Sequence, residues 1–472
     1  MNNKFIILIR NFSYTLASNI ISFIISAIVT LIVPKLLGLE EYGYWQLYLF
    51  YSSYVGFLHF GWLDGIYLRY GGAEYDKLDK KLFYSQFIML LLFQFLISVA
   101  ILVFTVLFVR DIEKKFIFKT IAFILMLVNI KTMFLYILQA TNRIKEYARV
   151  TMLDRVVYIV LVISFLLIGI ANYKIMILSD IVGKLISFIC AVYFCKDIVL
   201  NKFGIFCFSF SETFNNIIVG IKLMFSNIAS MLIIGIVRFG IERTWDVATF
   251  GKVSLTLNIS NMTMLFINAI GIIMYPILRR TNKDKLYVIY TTARNLLMIV
   301  LLGALLMYYP MKVMLSKWLP HYSESLMFMA LIFPIFIYEG KMSLLINTYY
   351  KALREEKRML HFNLISMLLS IILSLISMQI LCNLYFAVIN IVILYAFRAI
   401  LSELYLCKKF KMNVKKDIVL ELLLTVIFII SSWYIDSWLT VIVYMLAYFI
   451  YIIVKNEDIK KMLKNIKLLA ED

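Results

Sequence analysis

Charge is scarce in this chain, and most of what is present has one sign. Only 16% of residues are Asp, Glu, Lys or Arg, against about a quarter in soluble globular proteins. Apolar residues make up 63%, and the mean hydropathy is +0.90. That balance excludes a soluble domain and defines a polytopic membrane protein. Cysteine is sparse: Cys190, Cys195, Cys207, Cys382 and Cys407 show no metal-ligand spacing, and Cys195, Cys207 and Cys407 fall in segments expected in the cytoplasm, where thiols stay reduced. The three histidines, His59, His321 and His361, are scattered without a His-x-x-x-His pair, and Gly183-Lys184 lacks the upstream glycine and following hydroxyl of a phosphate loop. An enzyme, an ATPase and a bound cofactor are therefore not expected. The first apolar run is too long for a signal peptide and lacks a small-residue cleavage site, so it reads as retained.

What is present is apolar runs of membrane-spanning length. Residues 13 to 34 carry no charge, and at about 1.5 Å per residue they cross a hydrocarbon core of about 30 Å. The polar turn Lys35 to Gly43 and an aromatic run from Tyr44 to Trp62 complete a helical hairpin. Further spans read as 83–108, 116–139, 150–169 and 173–195, then 214–236, 247–275, 286–308, 325–349, 360–381 and 384–406, and finally 417–435 and 438–454. The fold expected is all-α, with about fourteen transmembrane helices.

Two features indicate an internal duplication. Ser18-Asn19-x-x-Ser22 and Tyr42-Gly43 both recur 208 positions later, as Ser226-Asn227-x-x-Ser230 and Phe250-Gly251. Gln139-Ala-Thr-Asn-Arg-Ile-Lys145 is echoed by Lys351-Ala-Leu-Arg-Glu-Glu-Lys357 at an offset of 212. With six helices per offset the copies are parallel, related by an axis along the membrane normal. The expected organisation is an N-lobe at 1–195, a cytoplasmic linker at 196–213 rich in Phe, a C-lobe at 214–406, two more helices at 407–454 and an amphipathic cytoplasmic tail at 455–472.

Basic residues set the orientation. They gather in alternate loops, for example Lys77, Lys80 and Lys81; Arg143, Lys145 and Arg149; Lys351, Arg354, Lys357 and Arg358; and Lys408, Lys409, Lys411, Lys415 and Lys416, with more in both tails. Both termini therefore read as cytoplasmic. The tail, with Ile459, Met462, Leu463, Ile466 and Leu469 on one face, either lies on anionic lipid or stays solvated. Topology and membrane lipid account for the net +19 without a nucleic acid.

Nine basic residues remain inside the expected spans: Lys119, Lys131, Arg155, Lys184, Lys222, Lys252, Arg294, Lys341 and Arg398; the acidic residues counted at comparable depth are Asp154, Asp180 and Glu339. A charge at mid-bilayer costs at least about 2.5 to 3.5 kcal/mol, so it faces water or a partner. Lys119, Arg155 and Lys252 sit near span ends and can snorkel. Asp180 and Lys184, four apart, can pair with each other. Asp154 and Arg155 are adjacent and point to different faces. Lys131, Lys222, Arg294, Lys341 and Arg398 have no obvious local partner. Glu339 and Lys341 do not face each other on a regular helix, unless Pro334 unwinds it. The surplus predicts a cationic central cavity, with Lys131, Arg155, Lys222, Lys252, Lys341, Arg294 and Arg398 as substrate-binding candidates and Asp154, Asp180 and Glu339 as coupling or counter-ion candidates. Asn19, Ser22, Ser26, Asn227, Ser230, Asn258, Asn261 and Asn268 suit close helix packing or ligand contact. Tyr48, Tyr51 and Tyr54 suit packing or sugar contact.

The opening hairpin with Leu37-Gly38-Leu-Glu40-Glu41-Tyr42-Gly43, the segment from Asp64 to Gly72 and Leu345-Ile-Asn-Thr-Tyr-Tyr-Lys-Ala352 resemble the polysaccharide transporter family, the Wzx-type flippases related to multidrug-and-toxin extrusion transporters. The resemblance implies a MATE-like pair of lobes in a bacterial plasma (inner) membrane. It implies a lipid-linked oligosaccharide on an undecaprenyl pyrophosphate carrier as cargo, moved from inner to outer leaflet for capsule, O-antigen or exopolysaccharide synthesis. H+ or Na+ would be a coupling ion and polymerase machinery a partner. The family's cavity helices favour Lys131, Arg155, Lys222, Lys252, Glu339 and Lys341 over Arg294, Lys184 and Arg398. Where the family commonly carries an Asp-Arg pair near the end of helix 7, this chain reads Val237-Arg238. Three rivals stay open: a cation-coupled multidrug exporter, a flippase for a peptidoglycan or teichoic precursor, and a non-transporting scaffold.

Overall fold

The computed structural model describes residues 20–22, 24–200, 206–280, 283–435 and 437–471, with side chains described except at 263, 265–280, 283–285, 356 and 466–471. Asn19, the start of the first expected span and the Asn268 side chain lie outside that set. Every regular element among the described residues is a helix. They group into two compact units, Met1–Ile228 and Ala229–Asp472. The expected lobe boundary at 213 and 214 falls near the foot of the long helix Phe210–Thr244, within which the units divide.

The first unit contains α1 (Ile20–Leu36), α2 (Leu39–Val55), α3 (Trp62–Arg69), α4 (Lys80–Phe108), α5 (Ile112–Ala140), α6 (Ile144–Leu167), α7 (Tyr173–Phe194), the short α8 (Lys196–Val199) and the first part of α9 (Phe210–Thr244). Short polar side chains start the spans. Asp79, Asp111 and Asn172 each accept first-turn N–H groups of α4, α5 and α7. Between α2 and α3 the chain turns at Phe60 and Gly61, both in the left-handed region at φ 53° and 81°. Of the expected second span, 44–62, α2 covers only the part up to Val55, and α3 begins at its last residue.

This turn lets α3 press its backbone against α9. A Cβ on Gly65 would sit 1.9 Å from the Asn216 carbonyl oxygen, and one on Gly220 would sit 2.0 Å from that of Gly61. Only glycine permits that approach. Beside it Arg69 donates to Asn216 Oδ1 at 2.6 Å and pairs with Glu212 at 2.7 Å, and Tyr70 donates to Glu212 at 2.8 Å. Burial, then the Glu212 carboxylate, pushes the Tyr70 hydroxyl up to about 12, which keeps it a donor. Trp62, Leu63, Phe87, Leu90, Met133, Phe134, Ile137 and Cys195 form the core nearby.

The second unit contains the remainder of α9, then α10 (Val247–Arg280), α11 (Lys283–Ala304), α12 (Tyr308–Trp318), α13 (Met327–Ile332), α14 (Ile335–Gly340), a π-helical turn (Lys341–Ile346), α15 (Asn347–Ala352), α16 (Glu356–Leu375), α17 (Leu384–Lys409), α18 (Lys415–Tyr434), α19 (Leu439–Val454) and α20 (Asn456–Glu471). Its centre is the segment from Met327 to Ala352, whose apolar window is 89% buried, against 28% for α4. Pro334 has no N–H to donate and interrupts that segment between α13 and α14.

Among the described residues, ten helices are long and apolar enough to cross a membrane, or eleven if α19 and the start of α20, bent by 64°, form one span. That falls short of the fourteen expected: α2 ends at Val55 after 17 residues, α1 is short, and the side chains of α10 are described only in part. The two segments echoed at an offset of 212 end in the same kind of turn. Arg143 donates to the Leu138 carbonyl at 2.8 Å past a left-handed Asn142, and 212 residues on Glu355 donates to the Tyr350 carbonyl at 2.8 Å past a left-handed Arg354. The buried Cys195 and Cys407 keep the same spacing.

Candidate functional site

In the first unit the ionisable residues meet across α2, α5, α6 and α7. Lys131 Nζ on α5 donates to Asp154 Oδ2 at 2.6 Å and to Ser187 Oγ at 3.0 Å. Asp180, buried on α7, accepts from the Tyr48 hydroxyl and from Lys184. Trp45 stacks between Tyr48 and Tyr158 at centroid distances of 5.4 and 6.0 Å. As the adjacency predicts, Asp154 turns inward and Arg155 is exposed on the other side of α6. Lys119 on α5 and Lys222 on α9 are exposed as well.

In the second unit the deep cations are not alone. Arg294 is 1% exposed and Lys341 1%. Arg294 Nε donates to Glu403 Oε1 at 2.5 Å and its Nη2 to Glu421 Oε1 at 2.7 Å. Lys341 Nζ donates to the other oxygens of the same two carboxylates, at 2.5 and 2.6 Å. The four side chains close a ring of alternating charge joining α11, the π-helical turn, α17 and α18. Asp417 extends it, pairing with Arg294 at 3.2 Å and with the buried Lys455 at 2.7 Å.

Lys131, Arg294, Lys341 and Arg398, which have no obvious local partner in the sequence, thus find partners on other helices. Arg398 donates to Asn363 Oδ1 at 2.9 Å and lies 3.6 Å from Glu339. Glu403 and Glu421 were missed because they stand near the ends of their apolar runs, where a carboxylate reads as interfacial. The two cations that needed counter-ions were the available signal. Glu339 and Lys341 part company because the π-helical turn begins at Lys341. Lys252 reaches Glu324 at 3.5 Å. Arg238, which follows Val237, donates to Ser254 at 2.9 Å and lies over the Phe250 ring. Outside the spans, the hydrogen bond from Lys409 holds the Glu355 carboxyl below the usual range.

The helices define a multi-pass membrane protein of MATE-like fold. A solved inward-facing multidrug resistance MATE family transporter of the MOP superfamily matches with a TM-score of 0.65 at 12% identity, over 81% of this chain and 93% of its own. The lipid II flippase MurJ, in an inward closed conformation, matches at 0.60 and 14% identity, over 95% of this chain and 99% of its own. A MOP superfamily transporter from Pyrococcus furiosus, described as having a binding pocket of reversed polarity, matches at 0.52 and 12% identity over 84% and 94%. No protein-family profile and no curated protein sequence matches the chain.

Proposed function

We propose that this chain is a flippase that moves a lipid-linked oligosaccharide, carried on a polyprenyl pyrophosphate, between the leaflets of a bacterial plasma membrane by alternating access. The observation that carries the reading is length of match: the likeness to a lipid II flippase takes in 95% of this chain, that to the MATE transporter 81%. Fold alone does not set cargo, so the charges supply the second support. Arg155 and Lys222 are exposed on membrane segments and form no direct ion pair among the described residues, although Asp180 feels the charge of Arg155, and they are the cations available to a pyrophosphate. Lys131, Arg294, Lys341 and Arg398 already hold hydrogen-bond or ionic partners, so their part is to set helix positions; Lys252 faces Glu324 and is a weaker candidate. Asp154 and Asp180, linked to Lys131 and Lys184, and Glu339, beside Arg398, are the places where a coupling proton or sodium ion would act.

The test is deletion followed by analysis of inner-leaflet lipid-linked glycans, then complementation. Deletion should accumulate one lipid-linked glycan. Arg155→Gln/Lys222→Gln should fail to restore surface polysaccharide while reaching the membrane at normal levels; full restoration rejects these two contacts. A cation-coupled drug exporter is the second reading, favoured by the higher MATE TM-score and by the neutralised deep cations. It predicts increased drug sensitivity on deletion with no glycan accumulation.

A further inference from the structure

The second unit holds a cavity of about 1070 Å³ walled by the start of α11, the turn between α17 and α18 and the junction of α19 with α20. Its lining includes five basic side chains, Arg294, Lys411, Lys416, Lys455 and Lys461, against three acidic ones, Asp417, Glu457 and Asp458. Two of those acids are occupied at the floor. Asp417 pairs with Arg294 and Lys455, and Asp458 accepts from Lys455 at 2.7 Å. Lys411, Lys416 and Lys461 are exposed and form no direct ion pair among the described residues, although the fields of Lys461 and Lys416 reach Asp458, and the lining as a whole keeps two more basic than acidic side chains. The turn that carries Lys411 is fixed: Met412 N–H donates to the Cys407 carbonyl at 2.8 Å, with Lys411 itself at φ 55°. Next to it α18 begins at Val414, an N-cap with no side-chain acceptor of its own.

Three exposed lysines lining one cavity above a polar floor suit the charge and the acceptor oxygens of a phosphate. Four membrane helices start or stop around the cavity, which sets it at a membrane–water boundary, and Ile453, Val454 and Met462 give it an apolar wall. We propose that this cavity is a phosphate-binding site, taking the group either from an anionic phospholipid headgroup or from a free phosphate. It shares no residue with the Arg155 and Lys222 contacts and does not depend on the cargo.

The experiment uses the full chain purified in a neutral detergent and read by native mass spectrometry and thermal melting. Phosphatidylglycerol, phosphatidylcholine and inorganic pyrophosphate are titrated separately. Phosphatidylglycerol should bind saturably and phosphatidylcholine should not, and Lys411→Gln/Lys416→Gln/Lys461→Gln should weaken phosphatidylglycerol at least about tenfold, given what each lysine contributes near anionic lipid. The matched Lys77→Gln/Lys81→Gln/Lys115→Gln variant, altered in the first unit, should bind as the wild type does. Saturable pyrophosphate binding, lost in the same triple variant, would assign the free phosphate as the source. Lys416→Gln alone, at an exposed first-turn position, should show a smaller loss in the same direction should the triple variant fold poorly. Equal binding by wild type and these variants, or no saturable binding of either anion, overturns the site.

Discussion

Glu403→Gln is the sharpest probe of the buried ring. The carboxylate is fully buried and takes Arg294 Nε and Lys341 Nζ at 2.5 Å each. Glutamine keeps the volume and one acceptor oxygen, so the packing survives while the four-membered ring changes from two cations and two anions to two cations and one anion. Removing one partner of a buried ion pair costs about 3–5 kcal/mol. Arg294 retains Glu421 and Asp417, and Lys341 retains Glu421, which sets the expectation at the low end, about 3 kcal/mol. Adding Lys341→Met restores neutrality, with Arg294 still held by Glu421. The double variant should therefore recover about 1–2 kcal/mol relative to Glu403→Gln alone, a coupling of the size found between contacting residues. Unfolding in mixed SDS micelles, followed by tryptophan fluorescence, measures both. A Glu403→Gln protein within about 0.5 kcal/mol of wild type, or a double variant equal to the sum of the singles, would refute the reasoning.

Other substitutions test other parts. Gly65→Ala places a methyl 1.9 Å from the Asn216 carbonyl oxygen; it should abolish a monodisperse peak in size-exclusion chromatography, whereas Gly38→Ala, with open space around it, should not. Asp154→Asn removes the carboxylate paired with the buried Lys131 ammonium, leaving it neutral acceptors and the more distant charge of Asp180, and should lower stability by about 3 kcal/mol, with Lys131→Met in the same chain recovering part of the loss in detergent melts. Glu355, whose carboxyl Lys409 holds below its usual range, contributes stability that is fully present above the ordinary carboxylate value of about 4.3 and is lost as pH falls through the lowered folded value. Melting between pH 6 and pH 3 should therefore decline less steeply in Glu355→Gln than in wild type, and identical slopes would reject the assignment.

The helical class and most of the spans could be read from hydropathy because they are local properties of the chain. The left-handed Asn142 and Arg354 stand inside the echoed segments around 139 and 351. The Asp180 and Lys184 pair was visible for the same reason, being one helical turn apart. Glu403 and Glu421 were not visible. They reach Arg294 and Lys341 across more than sixty residues of chain, and their burial comes from helices packing over them. A count of charges per span then leaves cations without partners and overstates the positive charge available for a ligand. The early end of α2 at Val55 escaped for a related reason: the aromatic run from Tyr44 to Trp62 is continuous in hydropathy, while the turn at Phe60 and Gly61 is set where α3 meets α9.

That contact also constrains motion. Where main chain meets main chain with no side chains between, there is no cushion of rotamers to shear, and α3 cannot slide or roll along the first part of α9 without collision. The pair must travel as a single strut, with Arg69 and Tyr70 fastening its end to Glu212. Any flexing of these two helices has to be taken up beyond Gly220 on α9 or before Gly61 on the other side of the joint.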